Sequence, residues 1–452
     1  MSAFITSTTR HLCLRKQRGA VLMVMLIIFI IGSVSFLVSA LSRAGLQTER
    51  EQITSQALAQ AKEALIGYAV TYGDNYTNQV YGYLPLPDLG TSRSTSSEGD
   101  AAGNFSGNTK NLTVIGRLPW RKLGLPPLRD GNGECLWYAV SGSFQNMKKA
   151  DVLNWDSIGH FDIYSSNGTS TGTISTSGSN YAQRPAAIIF SAGPPLPGQD
   201  RQNSATDTVG ICGGNYDARN YLDSFNPDAN INSIINYFTG STNNSTGYAY
   251  NLNNTSNGSQ LSTADLAVPK NIIFGDIESN TAGIINKISN DKVLPITTDE
   301  IFRQIIKRSD FSIQISTLMN DTNFKLHLQS VAIAGTKGTN NIDCNYTINT
   351  INKNFCNNWK EMLLLTQLPM MPMPTLTIDG FPVTGCNRVA IFGGQKTAAQ
   401  VRFTTTDKAA PANYLEGTNL AAFSTPTASG NNFIGASAFN FNSPSNDLLW
   451  CL

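Results

Sequence analysis

An apolar run near the N-terminus constrains this chain more than any other feature. No charged residue lies between Arg18 and Arg43, so 24 successive residues carry no charge. As a helix with a rise of 1.5 Å per residue, they would cross a bilayer core of about 30 Å. The preceding flank holds Arg10, Arg15, Lys16 and Arg18 and no acidic residue. This charge bias predicts a cytoplasmic N-terminus and export of the 410 residues that follow the run.

The helical pattern continues beyond the apolar run. From Leu46 to Tyr72, apolar residues recur every three or four positions, with charged residues between them. No Pro interrupts the segment, and Gly73 followed by Asp74 provides a stop. We therefore expect one long helix over 20–73, with a membrane half at 20–42 and an amphipathic half that packs against a folded domain.

The start of the chain resembles the type IV pilin and type II secretion pseudopilin superfamily. The matching features are a short basic leader that ends in Gly19, a mature chain that starts at Ala20, and the long apolar helix. The resemblance implies that prepilin peptidase cleaves between Gly19 and Ala20, and that Ala20 is then N-methylated. The leader is accordingly 1–19.

One position departs from the family pattern. Most members carry Glu at the fifth mature residue, whereas this chain has Val24, and its first acidic residue is Glu49. In a packed filament, a Glu from a neighbouring subunit pairs with the terminal amine, because an unpaired charge among apolar helices is costly. Val24 therefore favours a minor subunit at the filament tip, as in the large tip pseudopilin of the family, which likewise lacks this Glu.

Two other interpretations of the N-terminus remain open. An ordinary signal peptide could be cut after Ala40, although its apolar region would be unusually long. A plain signal anchor fits the hydropathy equally well. The Gly that directly precedes the apolar run and the helix that continues beyond it favour the pilin-like interpretation.

Composition argues against a nucleic-acid partner. The chain has 32 basic and 31 acidic residues, and removal of the four basic residues of the leader leaves 28 basic residues and a net charge of −3. Only 14% of residues are charged, against about 25% in ordinary globular domains. Polarity comes instead from Ser, Thr, Asn and Gly, which is common in exported proteins. With no basic patch, we expect no nucleic-acid binding.

The cysteine count becomes even once the leader is removed. Cys13 leaves with the leader, and six exported cysteines remain: Cys135, Cys212, Cys344, Cys356, Cys386 and Cys451. Six cysteines in an oxidising compartment predict three disulfides, although fifteen pairings are possible. Their positions favour the pairs Cys344–Cys356, Cys386–Cys451 and Cys135–Cys212. No CxxC motif is present, which argues against zinc or redox chemistry.

The exported part is expected to be an α+β structure, with the long helix packed on an antiparallel sheet. We divide it into an α+β domain with Ser/Thr/Asn/Gly-rich loops at 74–330 and a β-rich C-terminal part at 331–452. A capping box at 297–300 predicts a helix to Arg308. Strands are predicted at 136–140, 186–190, 271–275, 292–296, 331–334, 376–378, 388–392, 399–405 and 433–441.

Candidate chemical groups are few. His160 and His327 are the only exported histidines, and His160 with Asp162 on one face of a strand could bind a proton or metal. Trp120 and Arg121 in a Pro-rich segment could contact a ligand or pack against the helix. The segment 393–397, Gly-Gly-Gln-Lys-Thr, lacks the full phosphate-loop pattern and is interpreted as a turn. We expect no enzyme activity, no metal and no cofactor.

These observations predict a minor pilin or pseudopilin, anchored in the bacterial inner membrane before assembly and at the filament tip afterwards. It would act in assembly, adhesion or substrate contact. The expected partners are prepilin peptidase, other minor pilins or pseudopilins, and the membrane itself. The alternative is an inner-membrane-anchored exported binding protein or adhesin that never enters a filament. An exported hydrolase is a third, weaker possibility.

Overall fold

The computed structural model describes residues 18–90, 97–103, 113–147, 149, 152–159, 161–164, 184–202, 210–223, 250–252, 271–273, 277–281, 284–333, 342–368, 375–402, 404–425 and 432–452. Within these ranges, the side chains at 18–22, 35–43, 162, 164, 219, 250–252, 271–273, 277–281, 284–288 and 405 are not described. The chain divides into two compact units, Met1–Ile53 and Thr54–Leu452.

Helix α1 comprises Arg18–Asn75. Its sequence contains no Pro and is rich in Ala, Leu, Glu and Gln, which are strong helix formers. In the second unit, α1 buries one face in the main hydrophobic core, through apolar residues three or four positions apart. These residues are Ala57, Leu58, Ala61, Leu65, Ala69 and Tyr72.

The largest sheet has five antiparallel strands in the order β5-β1-β2-β4-β9. Its strands are β1 (Thr113–Arg117), β2 (Trp137–Val140), β4 (Ala187–Ser191), β5 (Tyr250–Leu252) and β9 (Lys292–Ile296). Every residue of β1, β2 and β4 is buried. Alternate side chains enter two cores: Tyr138 and Ile189 join the main core, whereas Trp137 and Ile188 join a smaller one on the other face.

Four short helices follow this sheet. They are α2 (Thr298–Ile305), α3 (Ser309–Met319), α4 (Thr322–Ser330) and α5 (Thr350–Trp359). The capping box at the start of α2 is confirmed, because the Thr297 hydroxyl accepts from the Glu300 N–H and the Glu300 carboxylate accepts from the Thr297 N–H. Helix α2 ends at Ile305, somewhat earlier than predicted.

Two three-stranded sheets complete the C-terminal region. The first has the order β10-β13-β15, and the second β12-β11-β14. Their strands are β10 (Leu363–Gln367), β11 (Thr375–Ile378), β12 (Phe381–Val383), β13 (Arg388–Phe392), β14 (Asn432–Gly435) and β15 (Leu448–Cys451). The same region contains helices α6 (Thr405–Ala409) and α7 (Gly417–Ser424).

Two isolated strand pairs lie outside these sheets. Strand β3 (Asp162–Tyr164) pairs in parallel with β6 (Asn271–Ile273), and β7 (Ile277–Thr281) pairs antiparallel with β8 (Ile284–Ser289). The fold is therefore mixed α+β, with mostly antiparallel sheets, as expected from the sequence.

Individual strand predictions had mixed outcomes. The strands predicted at 292–296 and 388–392 have those bounds in β9 and β13. No strand forms at 331–333, because Val331 caps the C-terminus of α4 and its carbonyl accepts from Arg388. The strand predicted at 399–405 is also wrong, since Thr404 caps α6 through a second capping box. The strand expected over 433–441 ends at Gly435 in β14, and residues 436–441 form no named strand.

Candidate functional site

The first candidate site is the N-terminal part of α1, which holds the positions singled out in the sequence. Gly19 and Ala20 lie in its first turn, directly after Arg18. Val24 is 55% exposed. In residues 23–34, all ten large apolar side chains are at least half exposed. Among the residues whose side chains are described, no helix is both long enough and apolar enough to cross a membrane.

The six cysteines from Cys135 onward form three disulfides. The pairs are Cys135–Cys212, Cys344–Cys356 and Cys386–Cys451, with Cα–Cα distances of 5.7, 5.7 and 5.4 Å. The pairing favoured by sequence position is thus confirmed. The Cys344–Cys356 bridge joins a short 3-10 helix to α5, and the Cys386–Cys451 bridge joins a loop to β15. The Cys135–Cys212 bridge links two segments that lie outside the named helices and strands.

Of the two histidine candidates, the structure describes only His327. His160 lies outside the described residues, whereas Asp162 begins β3. His327 is on α4, where its Nε2 accepts a hydrogen bond from the Asp343 N–H at 2.9 Å. Its ring also stacks on Tyr346 at 4.2 Å. His327 therefore ties the 343–346 segment to α4, and no group of metal ligands occurs among the described residues.

Trp120 and Arg121 have packing roles. Trp120 is buried against the turn at Gly99, where an added Cβ would lie 2.2 Å from the indole ring. The Arg121 Nε donates to the Glu98 carbonyl, and its guanidinium lies 5.0 Å from the Trp120 ring centre. These contacts fix the described turn at 97–103.

Glu98 itself belongs to a buried network that the sequence did not indicate. Its carboxylate accepts from the Cys212 N–H at 2.9 Å and lies 3.7 Å from Arg117, and both ionic side chains are almost fully buried. Arg117 also donates to the Gly213 and Asn215 carbonyls. Charged hydrogen bonds therefore hold the loop around the Cys135–Cys212 bridge against β1.

A second buried network surrounds the segment at 393–397. Arg402 and Asp156 are 0% and 1% exposed and lie 3.0 Å apart. Arg402 also donates to the Gly394 carbonyl at 3.0 Å, and its guanidinium lies 4.2 Å from the Tyr414 ring centre. Burial lowers the pKa of Lys396 below its usual range. The segment is an internally held turn, as the sequence indicated, and not an open phosphate loop.

The edge of this network contains a carboxyl group with a shifted pKa. Asp447 is buried, and this burial raises its pKa to about 7 although Asn419 donates to its carboxylate at 2.8 Å. Close by, Lys408 and Glu361 form a further ion pair at 3.0 Å. We assign these groups to structure, since the strands and helices around them leave their side chains buried.

The described surface also contains a groove of about 530 Å³ between α3 and the start of α5, which we call the α3–α5 groove. Its lining residues are Ser312, Ile313, Ser316, Thr317, Asn320, Asp321, Ile348, Asn349 and Asn352. The groove was not predicted from the sequence, because neither α3 nor α5 was predicted as a helix. Its volume falls within the range of about 300–1,000 Å³ that is typical of small-molecule sites.

Asp321 is the structural centre of the groove. Its carboxylate accepts from the Phe324 N–H, the Ile348 N–H and the Asn352 amide, at 2.8–3.1 Å. Desolvation by burial would raise its pKa, but these donors outweigh that effect and lower it below the usual range. Asp321 therefore stays ionised and fixes the 348–352 wall of the groove against α4.

Comparison of the chain with family models, curated proteins and solved structures gave no significant match.

Proposed function

We propose that the chain is a minor pilin or pseudopilin that acts at or near the tip of a type IV pilus or a type II secretion pseudopilus. The observation that carries this proposal is the apolar stretch at 23–34 of α1, where ten large apolar side chains are at least half exposed. Such a surface needs an apolar partner. Membrane lipid would supply it before assembly, and the helices of neighbouring subunits would supply it afterwards.

The later part of α1 supports the same proposal. Ala61, Leu65 and Ala69 are fully buried in the main core of the second unit. The first part of α1 thus leaves apolar side chains exposed, and the later part buries them in the core of a folded unit. The resemblance to pilins implies the same difference between the two parts of the helix.

The proposed position at the filament tip rests on the charge of the Ala20 amine and on the missing carboxylate at Val24. Export and cleavage would leave Ala20 with a positively charged amine among apolar helices, where an unpaired charge is unfavourable. A subunit below another must offer a carboxylate to the amine above it, and Val24 offers none. A subunit with nothing above it needs no such carboxylate, so this chain suits the end of the filament.

Cleavage after Gly19 is the first test. A Gly19→Glu variant should accumulate as an unprocessed precursor, because the peptidase needs the small residue at that position. Cys13→Ser, a change inside the leader, is the matched control and should be processed normally. Intact mass should place the mature terminus at Ala20, and a terminus at Leu41 would instead establish an ordinary signal peptide.

Location is the second test. Immunogold labelling should mark filament ends, and deletion of the protein should reduce filament initiation or filament-dependent attachment. Val24→Glu should be tolerated or only mildly perturbing. Label spread evenly along filaments would exclude the tip assignment. Protein found only in the inner membrane would favour the alternative, an anchored binding protein outside the filament.

A further inference from the structure

The α3–α5 groove exposes hydrogen-bonding groups that the fold itself does not use. Ser312, Ser316, Thr317 and Asn320 line the groove. Their side chains have no hydrogen-bond partner among the described residues. Ser312, Ser316 and Asn320 are four residues apart in sequence, which places them on one face of α3 and its C-cap. A row of hydroxyl and amide groups therefore faces the open groove.

The opposite wall is held in place before any ligand binds. The Cys344–Cys356 bridge joins the 344–346 turn to α5. Asp321 binds the Ile348 N–H and the Asn352 amide. Asn349 caps α5 through the Asn352 N–H. A wall fixed in this way loses little conformational entropy when a ligand binds, which favours affinity.

The described part of the groove has no basic group, and its one carboxylate is already engaged by the protein. Among the described residues that line it, none is Lys, Arg or His, so anionic groups such as phosphate lack a partner. Asp321 is the one lining carboxylate, and its oxygens already accept three hydrogen bonds from the protein. The ligand is therefore expected to be neutral.

The remaining lining is apolar and lies at the rim. Ile313 and Ile348 line the groove, and each is 61% exposed. The backbone groups of helices α3 and α5 are occupied by their own hydrogen bonds, so a peptide cannot add to the groove as a strand. Recognition must come from side-chain hydroxyls, side-chain amides and these two apolar surfaces.

We propose that the α3–α5 groove binds a neutral saccharide chain. Sugar hydroxyls both donate and accept, which matches the Ser, Thr and Asn side chains of the groove. The C–H faces of the sugar rings would pack on Ile313 and Ile348. This inference goes beyond the proposed filament function and does not depend on it, because an anchored protein outside a filament would carry the same groove.

The test is a titration of the full chain with uncharged oligosaccharides. The probes are cellotriose, maltotriose and triacetylchitotriose, and binding is followed by calorimetry in a detergent without a sugar headgroup. Glucose 6-phosphate and a neutral Gly/Ser peptide serve as comparison ligands. We expect at least one oligosaccharide to bind and both comparison ligands to fail.

Matched substitutions on α3 locate the binding site. Ser312→Ala combined with Ser316→Ala removes two groove hydroxyls and should weaken saccharide binding about tenfold. Alanine is a strong helix former, so the change should leave α3 intact. Ser309→Ala is the control, because Ser309 is exposed on the same helix outside the groove. Thr317→Ala, an exposed single substitution, should weaken binding by a smaller factor.

Several results would overturn the proposal. One is that none of the three oligosaccharides binds at millimolar concentration. A second is equal affinity for the serine double variant, the Thr317→Ala variant and the wild type. A third is preferential binding of the phosphorylated sugar or the peptide. None of these results bears on cleavage after Gly19 or on filament location, so the two proposals fail independently.

Discussion

Removal of Arg402 tests how much of the fold depends on its buried ion pair. Arg402 is fully buried and lies 3.0 Å from Asp156. It also donates to the Gly394 carbonyl, the Asn413 carbonyl and the Gln400 side chain. Arg402→Met keeps much of the side-chain volume but leaves the buried Asp156 carboxylate without its Arg402 ion-pair partner. Loss of one partner from a buried pair costs about 3–5 kcal/mol of unfolding free energy.

A second substitution separates the orphaned charge from the lost packing. Asp156→Asn removes the carboxylate charge, so the double variant no longer buries an uncompensated anion. We expect the unfolding free energy of the double variant to be higher than that of Arg402→Met alone by on the order of 1–3 kcal/mol. The two effects should therefore be clearly non-additive.

Tryptophan fluorescence during chemical unfolding, with the disulfides oxidised, measures these free energies. Trp155 and Trp359 are buried with ring centres 4.8 Å apart, so loss of the core changes their emission. Arg303→Met is the control, because Arg303 is 63% exposed and its pair with Asp299 should contribute less than about 0.5 kcal/mol. The reasoning is refuted if Arg402→Met costs no more than Arg303→Met, or if the Asp156 and Arg402 effects simply add.

Three further predictions concern the disulfides, one carboxyl group and the core face of α1. Replacing both Cys386 and Cys451 with Ser should lower the unfolding free energy by about 2–4 kcal/mol. Thiol labelling of the unfolded, unreduced protein should detect none of the six paired cysteines, and two or more reactive thiols among them would contradict this. Because burial raises the Asp447 pKa from 3.8 to about 7, the folded state retains the carboxyl proton to a higher pH than the unfolded state does. Its contribution to stability is therefore full below pH 3.8 and is lost as the pH rises through 7, and Asp447→Asn should flatten that fall in pH-dependent melting curves. Leu65→Ala should cost about 2–5 kcal/mol in the same unfolding assay, whereas Leu46→Ala, at an exposed position, should change stability by less than about 0.5 kcal/mol.

Local sequence signals predicted the elements whose causes are themselves local. The capping box of α2 needs only Thr297 and Glu300, three residues apart, and it forms as expected. Strand β13 is a short β-branched and apolar run between polar turns, and its bounds were predicted correctly. The disulfide pairing was predicted from the order of the six cysteines after Cys13, because Cys344 and Cys356 bracket a short segment, Cys451 follows Cys386, and Cys135 and Cys212 remain.

Competing local signals caused the error at 399–405. The run of Val, Phe and Thr has high β propensity, and this favoured a strand. Thr404 at the end of this run and Asp407 just after it have capping-box spacing, and this signal prevails in the structure by starting α6. Arg402, which lies within the same run, is also held by tertiary contacts, because it donates to Asp156 and Gly394 in the buried interior.

The sequence by itself determined the uncharged N-terminal run, the basic flank before it and the order of the six cysteines that follow Cys13. These are properties of residue type and of position along the chain, so they can be identified without a folded structure. Only the tertiary structure decided that Arg402 meets Asp156, since the two residues are 246 positions apart. The α3–α5 groove likewise joins 312–321 to 348–352. Contacts between distant segments depend on how helices and sheets pack, and no local pattern in the sequence encodes that packing.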